Sequence, residues 1–247
     1  MRFTVLGSGG VAVPSIGASS SSGGDVVRGT FAHVLQPRYP ASPTLLIDAG
    51  ADLWSQWRRW HEAPLRPDAV LVTHCHADHV AGLQHFAYSD PPMPIYGSPR
   101  TIADLKHFLP DITPKLDLRL LPEEGTLMVA GVLVETVVLA HSLPVTGIIV
   151  RHDGHTFVHL GDTGPVIGES VRMTIRGCDM LVVNTPLFGE TAEHISIPGA
   201  IALAADIAAK RLILAHLGHS VSTQTIAEIK AAHTGVAVAI DGSVFDC

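Results

Sequence analysis

The chain has 247 residues, of which 47% are hydrophobic, so it can bury a sizeable core and lies in the range where an α/β protein folds as one domain, here 1–247. Its 16 Lys and Arg residues against 23 Asp and Glu give a net charge of −7 without a basic run, which disfavours an extended nucleic-acid partner. The three cysteines form no Cys-x-x-Cys pair, which is typical of a reducing compartment. Because there is no signal-peptide pattern and no apolar run of membrane-spanning length, we expect a cytoplasmic protein with no membrane partner.

Hydrophobic periodicity predicts an alternation of strands and helices along the chain. Short apolar, β-branched runs predict strands at 3–6, 31–36, 44–47, 69–73, 94–96, 118–121, 126–129, 132–139, 147–151, 156–160, 180–183, 212–214 and 236–240. Helical spacing predicts helices at 52–62, 78–85, 99–108, 198–208 and 223–232. Both halves show the same β-then-α order. We therefore predict an α/β fold in which two mixed β-sheets stack face to face with helices outside, a four-layer αββα sandwich.

Three local patterns lead to further expectations. The glycine-rich segment 7–10 has the spacing of neither a dinucleotide-binding nor a phosphate-binding loop, so we interpret it as a tight turn. Residues 11–30 are small and polar, which is typical of a surface loop. Trp54, Trp57 and Trp60 follow one another at a spacing of three, which favours one packed helix face.

A dense group of potential metal ligands follows the predicted strand at 69–73. Within six residues the chain carries His74, His76, Asp78 and His79. Because side chains alternate along a strand, the His-x-His at its end sends both imidazoles to one face. Asp78 and His79 fall in the following turn and face a neighbouring point, so that the cluster serves two metal ions. Any one histidine alone would be interpreted as a core or surface residue, but the four together predict a metal site.

Three more candidate ligands, His141, Asp162 and His216, each come at the end of an apolar strand. Strand ends are where α/β scaffolds present their chemistry. With the cluster they make seven ligands, enough for two divalent metal ions with positions left open for water and substrate. Asp162 is the natural bridge, because a carboxylate can donate one oxygen to each ion. Imidazole and carboxylate ligands accept zinc, manganese, iron or nickel, and we expect zinc or manganese.

Together with Asp48-Ala49-Gly50, these residues resemble, in their order along nearly the whole chain, the metallo-β-lactamase fold superfamily of metal-dependent hydrolases. The resemblance implies a first metal held by His74, His76 and His141. It implies a second metal held by Asp78, His79 and His216, with Asp162 bridging. Asp48 would orient a ligand histidine. Homodimers are common in the resembling enzymes, but the sequence does not decide the oligomeric state.

Three positions distinguish the branches of this superfamily. Oxygen-reducing diiron members carry Glu where this chain has His76, and true zinc β-lactamases commonly carry Cys where it has Asp162. The segment 193–196, Glu-His-Ile-Ser, resembles the His-Leu-Ser-type motif of the phosphodiesterase branch, which includes the transfer-RNA 3′-processing nuclease and the cyclic phosphodiesterase that accompanies carbon–phosphorus lyase. No clear basic arm lies between His79 and His141, which favours the second enzyme. The N-terminal cysteine cluster that binds a structural zinc in that enzyme has no counterpart here.

The resemblance therefore implies hydrolysis of a small phosphodiester, cyclic esters included, by a hydroxide that two metal ions share. His194 and Asp78 are the candidate catalytic residues. His194, as an imidazolium, would hydrogen-bond the transition state or protonate the leaving alkoxide. The structural alternative places His194 just before a helix that Ser196 caps. The functional alternatives are a carbonyl hydrolase, such as a lactonase or thioesterase, that uses the same metal site, and a binding module that holds no metal.

The remaining polar residues give weaker signals. His219, three residues after His216, is a candidate to line the site. Arg28 and Arg38 lie in early loops, where the alternatives are a contact with phosphate and an ordinary solvated arginine. Cys75 lies between two ligands and is expected to point to the opposite face and pack in the core. The other histidines have no informative spacing and are interpreted as core or surface residues.

Overall fold

Two seven-stranded β-sheets form the centre of the computed structural model, which describes residues 1–10, 28–41, 43–60, 66–186, 188–189, 191–218 and 221–247. The first sheet consists of β1 (Arg2–Gly7), β2 (Ala32–Gln36), β3 (Leu45–Ile47), β4 (Ala69–Leu71), β5 (Pro94–Gly97), β6 (Asp117–Leu120) and β14 (Val244–Asp246). The second consists of β7 (Gly125–Val129), β8 (Val132–Leu139), β9 (Val145–His152), β10 (His155–Asp162), β11 (Met180–Asn184), β12 (Leu212–Ala215) and β13 (Val236–Val238). The spatial orders are β14-β1-β2-β3-β4-β5-β6 and β13-β12-β11-β10-β9-β8-β7.

The two sheets share one plan. In the first, the pairs from β14 to β3 are antiparallel and those from β3 to β6 are parallel. In the second, the pairs from β7 to β10 are antiparallel and those from β10 to β13 are parallel. The β-then-α order in each half of the sequence reflects this shared topology, since parallel neighbours need a crossover connection.

Helices cover the outer face of each sheet. They are α1 (Leu53–Trp60), α2 (Ala77–Val80), α3 (Pro99–Phe108), α4 (Glu169–Ile175), α5 (Ile197–Asp206) and α6 (Thr223–Ala232), with 3₁₀ turns at Ala81–Phe86 and Thr113–Lys115. One buried apolar cluster lies between the sheets, and one lies between each sheet and its helices. The predicted αββα sandwich is confirmed. Among the described residues, no helix has both the length and the apolar content that crossing a bilayer requires.

The carboxyl ends of the parallel strands from both sheets meet at one edge of the sandwich. Asp48 follows β3, and His74 follows β4 after a short extended segment. Asp162 is the last residue of β10, and His216 directly follows β12. Residues that lie far apart in sequence therefore reach one point, which is the edge where open α/β sheets bind ligands.

Several local expectations need correction. The segment 7–10 is not a tight turn, because Gly7 still belongs to β1 and Gly9 bridges to Thr30. The helix expected at 78–85 is a four-residue α-helix followed by a 3₁₀ turn. Strand β4 ends at Leu71, so that His74 and His76 lie in the connection after it and not in the strand. The short elements α4 and β14 were missed, because neither has a marked apolar period.

The tryptophans of α1 do not form one packed face. Trp57 is buried, whereas Trp54 and Trp60 are 47% and 37% exposed. A step of three residues falls short of one helical turn, so that successive tryptophans drift around the helix by about 60°. The resulting arc is too wide for all three indoles to face the sheet.

Candidate metal centre

All seven predicted ligands lie together at the edge where the strand ends meet. Their ligand atoms form two groups, in each of which the atoms lie within 4.8 Å of one another. The first group is His74, His76, His141 and Asp162, and the second is Asp78, His79 and His216. Asp162 faces both, because its Oδ2 lies 3.9 Å from His74 Nε2 and its Oδ1 lies 3.7 Å from His79 Nε2. This is the position that a bridging carboxylate requires.

The spacing within the groups fits ligands gathered around a cation. His74 Nε2 lies 2.9 Å from His76 Nδ1, and His216 Nε2 lies 3.0 Å from Asp78 Oδ2. His141 Nε2 lies 3.8 Å from Asp162 Oδ2. Ligand atoms at roughly 2.0–2.2 Å from one ion are separated from each other by roughly 3–3.6 Å in tetrahedral or octahedral geometry. The observed spacings lie close to this range.

Unpartnered nitrogens support the same interpretation. His79 Nε2 and His141 Nε2 are buried, and neither has a hydrogen-bond partner among the described residues. Buried polar atoms are normally satisfied, since leaving one without a partner is costly. Both nitrogens point into the cluster, where a cation would satisfy them. The residues present therefore fit divalent metal binding.

Asp48 sets the orientation of one histidine in each group. Its Oδ2 accepts a hydrogen bond from His79 Nδ1 at 2.8 Å, which leaves Nε2 to face the cluster. The same oxygen accepts the Thr73 hydroxyl at 2.7 Å. Because that hydroxyl proton is already used, Thr73 Oγ1 can only accept from His74 Nδ1, which lies 3.0 Å away. The lone pair of His74 Nε2 then faces the cluster, and one buried carboxylate orders both sites.

Two further contacts orient the remaining ligands. His141 Nδ1 donates to the backbone oxygen of Glu193 at 2.8 Å, which leaves Nε2 for the cluster. Asn184, which ends β11 beside Asp162 on β10, donates its Nδ2 to Asp162 Oδ1 at 2.6 Å. Neither Asn184 nor Thr73 was predicted as part of the site. The signal for Asn184 was a polar residue at the end of an apolar strand, the same signal that indicated Asp162.

Two residues at this edge have backbone conformations in the left-handed region. Asp48 and His216 have positive φ angles of 57° and 56°, which side chains other than glycine rarely adopt. Such strain persists where the surrounding structure enforces it, frequently at functional sites. Gly10 lies against the His216 ring, and a Cβ at this glycine would come within 2.4 Å of His216 Cε1.

Comparison with known proteins is consistent with this architecture. The sequence matches the Beta-lactamase superfamily domain over residues 44–217, which is more than half of the chain. The chain belongs to the metallo-β-lactamase superfamily. The predicted family and the prediction of a hydrolase are both confirmed.

Solved structures of this superfamily resemble the chain over its whole length. A diphosphatase from the PhnP family is 25% identical with a TM-score of 0.84, and the match covers 100% of this chain and 97% of that one. Zn²⁺-bound PqqB from Methylobacterium extorquens is 19% identical with a TM-score of 0.81, and each chain is covered completely. The human short-form tRNase Z is 22% identical with a TM-score of 0.70, covering 100% of this chain and 99% of that one. No curated protein sequence gives a significant match.

The two ligand groups differ in charge. Burial lowers the pKa of both His74 and His76, so their imidazoles are neutral at pH 7. Burial also acts to lower the pKa of His79, but the carboxylates of Asp162 and Asp48 outweigh it and raise this pKa to about 9. The pKa of His216 is likewise raised, because Asp162 and Asp78 outweigh the effect of burial. A proton thus occupies the second group when no cation does, and binding a cation there releases it.

These shifts predict that the metal-free protein loses stability as the pH rises from about 7.5 to about 9. In this window the folded state holds a proton on His79, whose pKa is about 9, that the unfolded chain, with histidine pKa values near 6.5, has released, and the raised pKa of His216 acts in the same direction. Raising the pH therefore favours unfolding. Histidines whose pKa is lowered, such as His74 and His159, oppose this trend near pH 6.5, where the unfolded chain still protonates them in part, and are neutral in both states above about pH 7.5.

Urea unfolding of the chelator-treated protein at pH 7.5, 8.0 and 8.5 measures this dependence. The midpoint should fall at each step, and Asp48→Asn should reduce the fall because it removes one of the charges that raise the pKa of His79. A midpoint that does not change between pH 7.5 and 8.5 would show that the second group holds no extra proton.

His194 lies beside the same cluster. Its Nδ1 is buried 3.9 Å from Asp162 Oδ2 and has no hydrogen-bond partner among the described residues, which leaves Nε2 available to a substrate. Burial lowers its pKa, with His141 and His216 acting in the same direction, and outweighs the opposing effect of Asp162. The free protein therefore holds this ring neutral at pH 7, so that an imidazolium would have to form when substrate binds. The structural alternative is also realised, since Ser196 caps α5 by accepting the Gly199 N–H at 3.1 Å.

A pocket of about 460 Å³ opens above the two ligand groups. Its described lining consists of Gly10, His76, Ala77, Asp78, His141, Pro186, Glu193, His194, His216 and Gly218. Most of these residues are small or belong to the cluster, and no Lys or Arg is among them. The pocket is therefore suited to a small ligand whose charge the cluster itself would neutralise.

The residues that gave weaker sequence signals differ in where the structure places them. Arg28 is not a solvated arginine, because it is buried and donates to the Gly218 and Val221 backbone oxygens, which anchors the segment after His216. Arg38 is exposed and lies outside the pocket that the cluster lines. Cys75 packs in the outer core of the first sheet, as expected. His219 lies outside the described residues.

Proposed function

We propose that the chain is a dinuclear metal-dependent phosphodiesterase that acts on a small phosphodiester, cyclic esters included. The observation that carries the proposal is the position of Asp162, which faces both ligand groups and, through Oδ2, also His194. In this proposal, two cation sites and one side chain that can carry a proton would surround a single point. The resemblance to a PhnP-family diphosphatase supports phosphorus as the element attacked.

His74, His76 and His141 would hold one ion, and Asp78, His79 and His216 the other, with Asp162 shared between them. Bound ions of this kind supply a water that is deprotonated near neutral pH and offset the negative charge of the phosphoryl oxygens. Zinc and manganese suit this set of imidazole and carboxylate ligands. The contacts of Asp48, Thr73, Glu193 and Asn184 hold the ligand atoms in position before a cation arrives.

Among the side chains, His194 and Asp78 would take part directly in the reaction at phosphorus. His194 Nε2 would donate a hydrogen bond to a phosphoryl oxygen, or take up a proton near the anionic ester and pass it to the departing alkoxide. An approaching anion favours the protonated ring, which offsets the effect of burial on its pKa. Asp78 lines the same pocket, where its carboxylate would orient the attacking water.

A carbonyl hydrolase remains the second candidate, and one observation favours it. The described lining of the pocket contains no Lys or Arg. Phosphate-binding sites commonly contain such a side chain, whereas a site for a lactone or a thioester does not need one. For the phosphodiesterase, the two ions themselves would have to supply all of the positive charge. This requirement restricts the substrate to a compact diester with one negative charge.

Metal content and turnover measured on one preparation test the proposal. We expect about two ions per chain and hydrolysis of bis(p-nitrophenyl) phosphate when Zn²⁺ or Mn²⁺ is supplied separately to the chelator-treated protein. An acyl-lactone and a thioester are assayed in parallel. Two ions with turnover of a carbonyl substrate alone would replace the phosphodiesterase by the second candidate, whereas a protein that binds no metal would overturn both.

A further inference from the structure

One buried aromatic ring supports both imidazoles of the second ligand group. Phe31, which directly precedes β2, is completely buried. Its ring centroid lies 4.6 Å from that of His79 at an interplanar angle of 28°, and 5.5 Å from that of His216. The two imidazoles also stack on each other at 5.2 Å and 22°. The Phe31 backbone oxygen accepts the Gly50 N–H at 2.9 Å, which joins it to the loop that carries Asp48.

A second layer of rings backs Phe31. His33 lies 4.1 Å from it and His159 lies 5.7 Å from it, measured between centroids. The Gly161 N–H donates to His159 Nδ1, so His159 Nε2 carries the proton and donates to His33 Nδ1 at 3.2 Å. Burial lowers the pKa of both histidines, and the pair is neutral. Phe31 therefore rests on a hydrogen-bonded, uncharged support between the two sheets.

The second group needs this packing more than the first does. His79 is held at Nδ1 by Asp48, but His216 Nδ1 has no hydrogen-bond partner among the described residues. The side-chain hydrogen bond of His216 joins its Nε2 to Asp78, and a cation between these two atoms would replace it. The orientation of His216 in the loaded state then depends on the ring beneath it. The ring contacts of Phe31 within the described residues reach His79 and His216 but no histidine of the first group.

We infer that Phe31 is a positioning residue for the second ion: it sets the orientation of the His79 and His216 rings and thereby the affinity of that site alone. The inference rests on the proposed dinuclear centre. Loss of a residue that orients metal ligands typically weakens binding by roughly 10–100-fold. We therefore expect Phe31→Leu to weaken one of the two stepwise Zn²⁺ dissociation constants by about tenfold or more, and to leave the other nearly unchanged.

The measurement is Zn²⁺ competition against a chromophoric chelator, starting from the metal-free protein. Co²⁺ titration of the same variants adds the visible absorption spectrum of each bound ion. The matched control is Phe157→Leu, because Phe157 is equally buried in the same core cluster but has no ring contact with His79 or His216 among the described residues. Phe31→Met, whose flexible side chain adapts better to an irregular gap, replaces Phe31→Leu if the latter does not fold.

The outcomes separate the two proposals. A selective loss of one constant, with a changed absorption spectrum for the corresponding Co²⁺ only, supports the role of Phe31. Two unchanged constants in the Phe31 variants, or an equal loss in Phe157→Leu, would overturn it while the dinuclear centre stands. A wild-type protein that binds fewer than two ions would overturn the dinuclear centre and this inference with it.

Discussion

Replacing Asp162 by alanine should weaken metal binding by at least about 100-fold, since even the loss of a residue that only orients a ligand costs roughly 10–100-fold. Turnover should be lost with it. The reason is that the two oxygens of Asp162 face both ligand groups. Without the carboxylate, the remaining histidines and Asp78 provide three ligands to each site and nothing between them. Metal content after gel filtration, together with Zn²⁺ titration, measures the loss.

Two variants serve as controls for this result. Asp179→Asn alters a carboxylate at the opposite end of the β10–β11 pair, where it accepts the Thr156 N–H and the Lys210 ammonium, and it should leave both ions in place. Asn184→Ala removes only the hydrogen bond to Asp162 and should give an intermediate loss. If Asp162→Ala keeps two ions at wild-type affinity, the shared carboxylate has been assigned to the wrong residue.

That the seven candidate ligands lie together could be predicted because each carries a local signal. Four of them lie within six residues, and His141, Asp162 and His216 each follow an apolar strand. A parallel arrangement brings such strand ends together whatever the details of the loops. The candidate ligands do meet at one edge, but strand alternation does not place His74 and His76, since strand β4 ends at Leu71.

Contacts that depend on tertiary packing could not be predicted. Phe31 reaches His79 and His216 across large sequence separations, and the sequence around it shows only an apolar strand. The burial of Arg28 depends on the backbone oxygens of Gly218 and Val221, far along the chain. Strand β14 exists because its three residues pair with β1, a contact between the two ends of the described chain.

The orientation of the ligands also lies beyond sequence patterns. Asp48 was expected to orient one histidine, and the structure shows that it acts on His79 directly and on His74 through the Thr73 hydroxyl. The direction of each of these hydrogen bonds depends on which donors and acceptors lie next to one another in the folded protein. The charge of His194 is a second example, because burial and the neighbouring histidines, not residue type, decide that the free ring is neutral.

That neutral ring leads to the second large effect. His194→Ala should reduce turnover of phosphodiesters by about 10²–10⁴-fold, the usual contribution of a general acid or base, while the protein keeps both ions. Metals are retained because His194 lies 3.9 Å from Asp162, outside the two proposed ligand sets. His155→Ala, at the far end of β10, is the matched control and should leave turnover unchanged.

The nature of the leaving group distinguishes two roles for His194. A nitrophenolate leaves without being protonated, whereas phenol, whose pKa resembles the tyrosine value of about 10, benefits from an acid. If His194 protonates the leaving group, His194→Ala should slow diphenyl phosphate more than bis(p-nitrophenyl) phosphate, and His194→Gln, which only donates a hydrogen bond, should rescue neither. If His194 only binds the phosphoryl oxygens, both esters should slow equally and the glutamine variant should recover part of the rate. A full rate for His194→Ala on both esters would exclude both roles. The motif at 193–196 would then have only a structural role, in which Ser196 caps α5.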